Sequence, residues 1–283
     1  LFGLYVVSAK TGSGKTVICA GLSGFLQAGG RKVGYLRLDD ADDAAKIAGA
    51  YRRAAEGRDW LLAEGALSPA VGQAAGETGA KIIAVEAYAD PPGDYPGLGE
   101  ALLGVVLNKV PRSRLARVAA EAANRPVAVL GVMPEDRTLL ALTVEELARS
   151  LGGKILNQAG KAAELVENYM LGAMVVDSGP SYFGRKSRKA VIVRGDRPDM
   201  QLAALETPTS CLVLSQARRP PVYQVMEKAE ARGVPVIAVE QGTEAIVAGI
   251  EEAIAKSRFA AEKKMPRLGE LVKEHLNLKA VLA

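Results

Sequence analysis

Residues 4–7 (LYVV) form a short apolar run, and AKTGSGKT follows at 9–16. An apolar strand running into a glycine-rich loop, with a helix starting at Gly14-Lys15-Thr16, commits the amino-terminal half to an α/β sheet. The loop then sits at the carboxyl end of its first strand. Backbone N–H groups of such a loop converge on phosphate oxygens, helped by the positive end of the helix. Lys15 is placed to reach β/γ-phosphates, and the Thr16 hydroxyl to bind Mg²⁺. The nucleotide-binding set read from the loop is Lys10, Thr11, Gly12, Ser13, Gly14, Lys15, Thr16 and Val17.

The usual spacing G-x-x-x-x-G-K-[ST] wants glycine where this chain has Ala9, and alanine loses easy access to positive φ. A second lysine, Lys10, precedes Lys15 by five residues. The spacing K-x-G-x-G-K-T resembles the deviant Walker A loop of the MinD/ParA/nitrogenase-iron-protein class. In that class the extra lysine reaches phosphates, often those of the partner subunit. The competing reading is a glycine-rich turn with two solvated lysines; the strand–loop–helix context argues against it.

At 283 residues, 49% hydrophobic and 24% charged, the chain has the makings of one large domain or two ordinary ones with a sizeable core. Its formal charge of +4 is mild, and eight basic residues or histidine fall between Lys256 and Lys279. A solvated helical face explains such a tail better than nucleic acid or a membrane does. Cys19 and Cys211 lie in an apparent helix and an apolar strand, as buried free thiols do in a reducing compartment. No run approaches the ~18 apolar residues of a membrane span, and no leader precedes the first strand. The expectation is a cytoplasmic protein. One histidine, His275, and no Cys/His cluster argue against zinc and His-based triads.

Strand-like and helix-like stretches alternate: helix 15–28 stopped by Gly29-Gly30, strand 32–38, helix 43–56, strands 81–86, 103–107 and 127–132, and a helical 111–124 between the last two. This predicts a mostly parallel sheet covered on both faces, with ligands beyond the strands' carboxyl ends. A second α/β unit is expected from residue 138, with a capping box at Thr143 and Glu146. Its strands are expected at 173–176, 189–193, 211–215 and 234–239, and its helices at 198–206, 220–232 and 243–256. Residues 178–188 read as a glycine-rich basic loop. The expected division is 1–137, 138–256, and a basic helical tail over 257–283.

Arg37 ends the second strand, near where a γ-phosphate would sit; with Lys15 and Lys10 it completes the candidate catalytic cations. Asp39-Asp40-Ala41-Asp42-Asp43 follows. These carboxylates either face Mg²⁺ or solvate a helix N-terminus, with Asp43 the best single metal candidate. Glu86 ends the IIAVE strand, the Walker B position near Mg²⁺. Asn108, after LGVVL, can donate to and accept from adenine at once. Pro134 and Glu135 are expected near the same base.

The order of phosphate loop, KVGYLR, AVE, GVVLNKV and LGVMPED resembles the dethiobiotin-synthetase-like P-loop family over about residues 3–137. It is more closely similar to the amino-terminal region of some phosphotransacetylases. The resemblance implies that Lys15 and Thr16 hold phosphate and Mg²⁺, that Glu86 holds metal, and that Asn108 contacts adenine. The second half resembles a DRTGG domain, through Gly172-Ala173-Met174, GDRPDMQLAALET at 195–207 and VPVIAV at 234–239. Its Asp-Arg pair is Asp196-Arg197. Its Thr-Gly-Gly is replaced by Ser215-Gln216-Ala217, which puts a ligand cradle at that turn in doubt. Such domains look like regulatory or dimer-forming modules, so a homodimer and a regulatory small molecule at the second domain are expected. Pro198 suits a helix's first turn, with Asp196 as the cap or Arg197 as the holder of a phosphate-bearing ligand.

Two departures argue against dethiobiotin synthesis itself. Arg37-Leu38 stands where the synthetases carry Lys-Pro, and residues 44–80 read as too short and too polar-helical for a diaminoacid pocket. A phosphotransacetylase's catalytic region would need several hundred further residues, so acetyl transfer is excluded unless another chain supplies it. The expectation is Mg²⁺-dependent ATP binding with slow hydrolysis, used as a sensor or switch. The alternatives are an ATP-dependent ligase or kinase-like enzyme and a non-hydrolysing nucleotide-binding scaffold.

Overall fold

The computed structural model describes residues 2–38, 43–157, 160–173, 179–256 and 262–282. Asp39, Asp40, Asp42 and Met174 lie outside the described residues. The chain divides into two units, Leu1–Asp136 with Phe259–Ala283, and Arg137–Arg258.

Unit 1 runs β1 (Phe2–Ser8), α1 (Lys15–Ala28), β2 (Val33–Arg37), α2 (Ala44–Ala55), β3 (Trp60–Ala66), α3 (Pro69–Thr78), β4 (Lys81–Ala87), β5 (Leu102–Val110), α4 (Leu115–Ala122) and β6 (Val129–Pro134). The strands form one six-stranded sheet, β2-β3-β1-β4-β5-β6, with every neighbouring pair parallel. Both faces are covered, so the central strands read as continuous apolar runs rather than as alternation. Tyr5, Leu61, Ile82 and Val105 pack with Ile47, Tyr51, Ala74 and Val118 of α2, α3 and α4.

The segment 44–80 corrects one expectation. It is not merely polar-helical: it holds α2, the buried strand β3, and α3 capped by Ser68 with Pro69 in its first turn. WLLAEGA was hidden because a parallel strand buried on both faces has no period-2 signature.

Unit 2 contains α5 (Arg137–Leu140), β7 (Leu142–Thr143), α6 (Val144–Ser150), β8 (Lys154–Ile155), β9 (Leu165–Val166), β10 (Asn168–Leu171), α7 (Gly179–Phe183), β11 (Lys189–Arg194), α8 (Pro198–Leu205), β12 (Thr209–Ser215), α9 (Tyr223–Ala231), β13 (Val236–Ala238) and α10 (Thr243–Lys256). Strands β10, β11, β12 and β13 are parallel in that order, and β8 closes the edge antiparallel to β13. Strands β7 and β9 form a separate antiparallel ribbon. Thr143 and Glu146 do form a capping box on α6. A strand, β10, lies at Asn168–Leu171, and of the strand expected at 173–176 residues 174–176 lie outside the described residues. Part of the loop expected at 178–188 is helical, as α7.

The carboxyl-terminal residues return to unit 1 as α11 (Met265–His275) and α12 (Leu278–Val281). Leu268, Leu271 and Val272 are fully buried, and each such side chain contributes roughly 1.5–3 kcal/mol. Arg267 adds an ion pair to the buried Asp136, at 3.0 Å, which Arg112 also reaches at 2.7 Å. Lys263, Lys273 and Lys279 are exposed on this packed layer, whereas Lys264 is buried.

Lys189, at the start of β11, is fully buried, and its acceptors among the described residues are neutral: Thr207 Oγ1 at 3.0 Å and the Pro208 carbonyl at 2.6 Å. Burial pulls its ammonium down to about 8, against ~10.4 for a solvated lysine. Between those values the unfolded chain binds more protons, so stability rises with pH across the window. Lys189→Met is expected to stabilise the protein at pH 7, on the order of 2 kcal/mol. The advantage over wild type should shrink as pH climbs from 8 to 10, and urea titrations of both proteins across that range measure it.

Candidate nucleotide site at the carboxyl edge of the unit 1 sheet

The loop after β1 closes on itself. The carbonyl of Lys10 accepts from Ser8 Oγ at 2.6 Å and from Ser13 Oγ at 3.0 Å. Gly12 and Gly14 take φ of 77° and 98°, a region closed to most side chains. Gly14 is the N-cap of α1, and a Cβ there would lie 2.0 Å from Asn108 Nδ2. Ala9 is not at positive φ, so the alanine in place of the pattern's glycine costs the loop nothing. Helix α1 has no side-chain cap and no acidic residue in its first turn. Its N-terminal turn and dipole therefore face the loop without a capping side chain, as suits an anion site.

Lys15 Nζ donates to Ser8 Oγ at 2.6 Å, which keeps the ammonium over the loop. Lys10, more than half exposed, pairs with Asp90 at 2.8 Å, just beyond β4. The Asn108 amide, buried at the carboxyl end of β5, donates to the Ser13 carbonyl at 2.8 Å. It braces the phosphate loop, a role the sequence did not reveal. Pro134 is buried beside Val110 at the end of β6.

The acid beside Thr16 is not the expected one. Thr16 Oγ1 donates to Glu64 Oε1 at 3.0 Å. Glu64 comes from the unforeseen strand β3, and its side chain is 4% exposed. Its other carboxylate oxygen is buried with no hydrogen-bond partner. Arg37 approaches Glu64 only at 3.9 Å, from a mostly exposed position. The Tyr35 phenol and the Cys19 thiol lie close by. Burial pushes both upward first; next comes the Glu64 carboxylate, by hydrogen bonding and then charge for Tyr35 and by charge for Cys19. A buried carboxylate with one oxygen on a threonine hydroxyl and the other unpartnered among the described residues has the hard oxygen donors that suit Mg²⁺. That ion keeps several waters and asks for only one or two protein oxygens. Among the described residues no three His, Cys, Asp or Glu side chains gather as a metal cage.

Glu86 is engaged elsewhere. Its carboxylate accepts from Gly93 N at 2.7 Å, from Arg125 Nη1 at 2.8 Å and from the Tyr95 hydroxyl. Desolvation acts to raise its pKa, but the Arg125, Tyr95 and Gly93 hydrogen bonds together hold it below the usual carboxylate range. Asp43 serves the other role expected of these carboxylates, at a helix N-terminus. It is the N-cap of α2, accepting from Ala45 N at 3.0 Å and Lys46 N at 3.2 Å, and those bonds lower its pKa. The signal for Glu64 was available: LLAE at 61–64 repeats the apolar-run-then-Glu form of IAVE at 83–86.

Residues 4–147 match the CobQ/CobB/MinD/ParA nucleotide binding domain. The chain belongs to that family. Residues 146–253 match the DRTGG domain, so the CobQ/CobB/MinD/ParA-type nucleotide-binding domain is followed by a DRTGG domain. The phosphate acetyltransferase of Nitratidesulfovibrio vulgaris (strain Hildenborough) is 25% identical over 163 residues. The match covers 54% of this chain and 23% of that protein, so the chain spans about a quarter of its relative's length. A solved structure of the CBS and DRTGG domains from the regulatory region of Clostridium perfringens pyrophosphatase, complexed with its activator diadenosine tetraphosphate, is 14% identical. It aligns with a TM-score of 0.37 over 52% of this chain and 72% of that one, a likeness too distant to bear on ligands here. Among the described residues no helix is long and apolar enough to cross a membrane.

Proposed function

We propose that unit 1 binds ATP with Mg²⁺ and hydrolyses it slowly, as a sensor or switch in the cytoplasm, and that the DRTGG domain is its regulatory, dimer-forming module. The observation that carries this reading is the buried Glu64 carboxylate, one oxygen on Thr16 Oγ1 and the other with no hydrogen-bond partner among the described residues, at the first turn of the uncapped helix behind the phosphate loop. Thr16 Oγ1 and the Glu64 carboxylate would hold the metal. Mg²⁺, when bound, supplies charge neutralisation for the phosphates.

Lys15 exchanges its neutral acceptor, Ser8, for a phosphate oxygen. Loop N–H groups from Lys10 to Val17 orient the phosphates. Lys10 and Arg37, both exposed, add positive charge at the rim once Lys10 leaves Asp90. Asn108 keeps one amide N–H and its carbonyl for adenine, with Pro134 near the base.

A ligase reading has one observation in its favour. A cleft of about 320 Å³ lined by Glu86, Asp90 and Arg125 adjoins the residue that pairs with Lys10, and an acid–base pair there could seat a second substrate. Phosphate release from ATP with and without Mg²⁺, beside light scattering in ATP and in ADP, tests the switch. The expected result is slow, Mg²⁺-dependent turnover by a homodimer whose assembly or shape differs between the two nucleotides. Nucleotide binding without turnover would leave a scaffold instead.

A further inference from the structure

The DRTGG domain carries a site of its own at the carboxyl ends of β11 and β12, the edge where open α/β sheets bind ligands. A cleft of about 640 Å³ opens there between the turns after the two strands. The turns touch. Gly195 N donates to the Ser215 carbonyl at 2.8 Å, and a Cβ on Gly195 would come within 3.1 Å of Ala217 Cα. Gln216 holds φ at 53°, a strained value for a residue with a side chain. It stands where the DRTGG pattern has its first glycine, and it holds the left-handed backbone that a glycine adopts readily.

Charge around the cleft is unbalanced. Asp196 does not cap α8; its carboxylate takes both arms of Arg194, at 3.0 and 2.6 Å. Arg197, the sequence candidate for a phosphate, sits at the N-cap with its guanidinium on Asp199, at 2.9 and 2.7 Å. Arg218 and Arg219 are exposed and have no ion pair among the described residues. The same two arginines line a second cleft of about 400 Å³, where Lys154 adds a cation and Glu240 the one carboxylate. Pro198, Pro220 and the half-exposed Val222 give the first cleft an apolar wall.

We infer that this cleft binds a nucleotide-sized phosphate ester, its phosphate on Arg218 and Arg219 and its organic body against Pro198, Pro220 and Val222. Two forked guanidiniums match phosphate geometry better than they match a single carboxylate. The volume is that of small-ligand sites. The cations are confined to one turn and its flank, which favours a small anion over a polynucleotide.

The test uses the full-length Lys15→Ala protein, in which the phosphate loop of unit 1 is disabled. AMP and inorganic phosphate are titrated into it calorimetrically at low and at high salt. The expected result is an AMP site tighter than that for inorganic phosphate and weakened by salt. Arg218→Ala with Arg219→Ala should lower AMP affinity by at least about tenfold, as the loss of charged hydrogen bonds does. Val222→Asp should weaken it independently, while Arg197→Ala should not. No AMP binding, AMP no tighter than inorganic phosphate, or an unchanged affinity in the double-arginine variant would overturn the inference. The Arg218, Arg219 and Val222 variants lie in the DRTGG domain, so a loss of AMP binding in them is assigned to this cleft and not to unit 1, whatever the outcome for ATP there.

Discussion

Lys15→Ala is expected to remove tight ATP binding, lowering affinity by about 10- to 100-fold, since a charged hydrogen bond to phosphate is worth about 1.5–3 kcal/mol. In the protein the Lys15 ammonium is held over the loop by Ser8 Oγ at 2.6 Å. It is thus positioned before nucleotide arrives and loses little freedom on binding. The fold should survive the change, because α1 is anchored by Ile18, Cys19 and Leu22, all buried. Titration of fluorescent ATP against wild type and variant reads the effect, with circular dichroism confirming equal helix content. Equal affinities would reduce residues 9–16 to a turn.

The loop was legible because its chemistry is local. Glycines at fixed offsets, a lysine and a threonine announce themselves within eight residues, and α1 falls at Lys15–Ala28 as its Gly29-Gly30 stop predicts. What stayed hidden was carried by partners far apart in the chain. Lys10 meets Asp90 across 80 residues, and Asn108 meets Ser13 across 95. The Asp196 cap reading failed for a nearby reason: Arg194, two residues back, offers a bidentate charged partner that outcompetes backbone N–H groups. Strand β3 was missed because WLLAEGA lacks alternation and follows an arginine-rich helix end. Missing that strand also hid Glu64, since both glutamates end apolar runs and only the tertiary pairing tells which one meets Thr16. The carboxyl-terminal helix was read by its charges, yet its energetics lie in Leu268, Leu271 and Val272 on the opposite face.

Glu64→Gln and Glu86→Gln are therefore expected to separate cleanly. At Glu64 the amide nearly preserves shape and can still accept from Thr16, but it removes the charge of a carboxylate that is 4% exposed and only loosely approached by Arg37. An under-compensated buried charge is costly, so this variant should be as stable as wild type or more so. It should also lose the Mg²⁺ enhancement of ATP affinity, and hydrolysis with it, by about 100-fold or more, a rise of some 2.7 kcal/mol in the barrier. At Glu86 the balance reverses. Removing its charge weakens the bonds from Arg125 and Tyr95, and stability should fall by about 1.5–3 kcal/mol, while Mg²⁺ dependence persists in the folded fraction. Glu86 also signals through pH. Its pKa is depressed in the folded protein, so its contribution is present above the unfolded value of ~4.3 and is lost as pH falls through the folded one. Wild type should thus lose more stability than Glu86→Gln on acidification below about pH 4. Phosphate-release assays across Mg²⁺ concentrations, with urea titrations at neutral and acid pH, measure both effects. Should Glu86→Gln abolish Mg²⁺-dependent turnover at unchanged stability while Glu64→Gln keeps it, the metal belongs to Glu86, and the Thr16–Glu64 pair is only a packing contact.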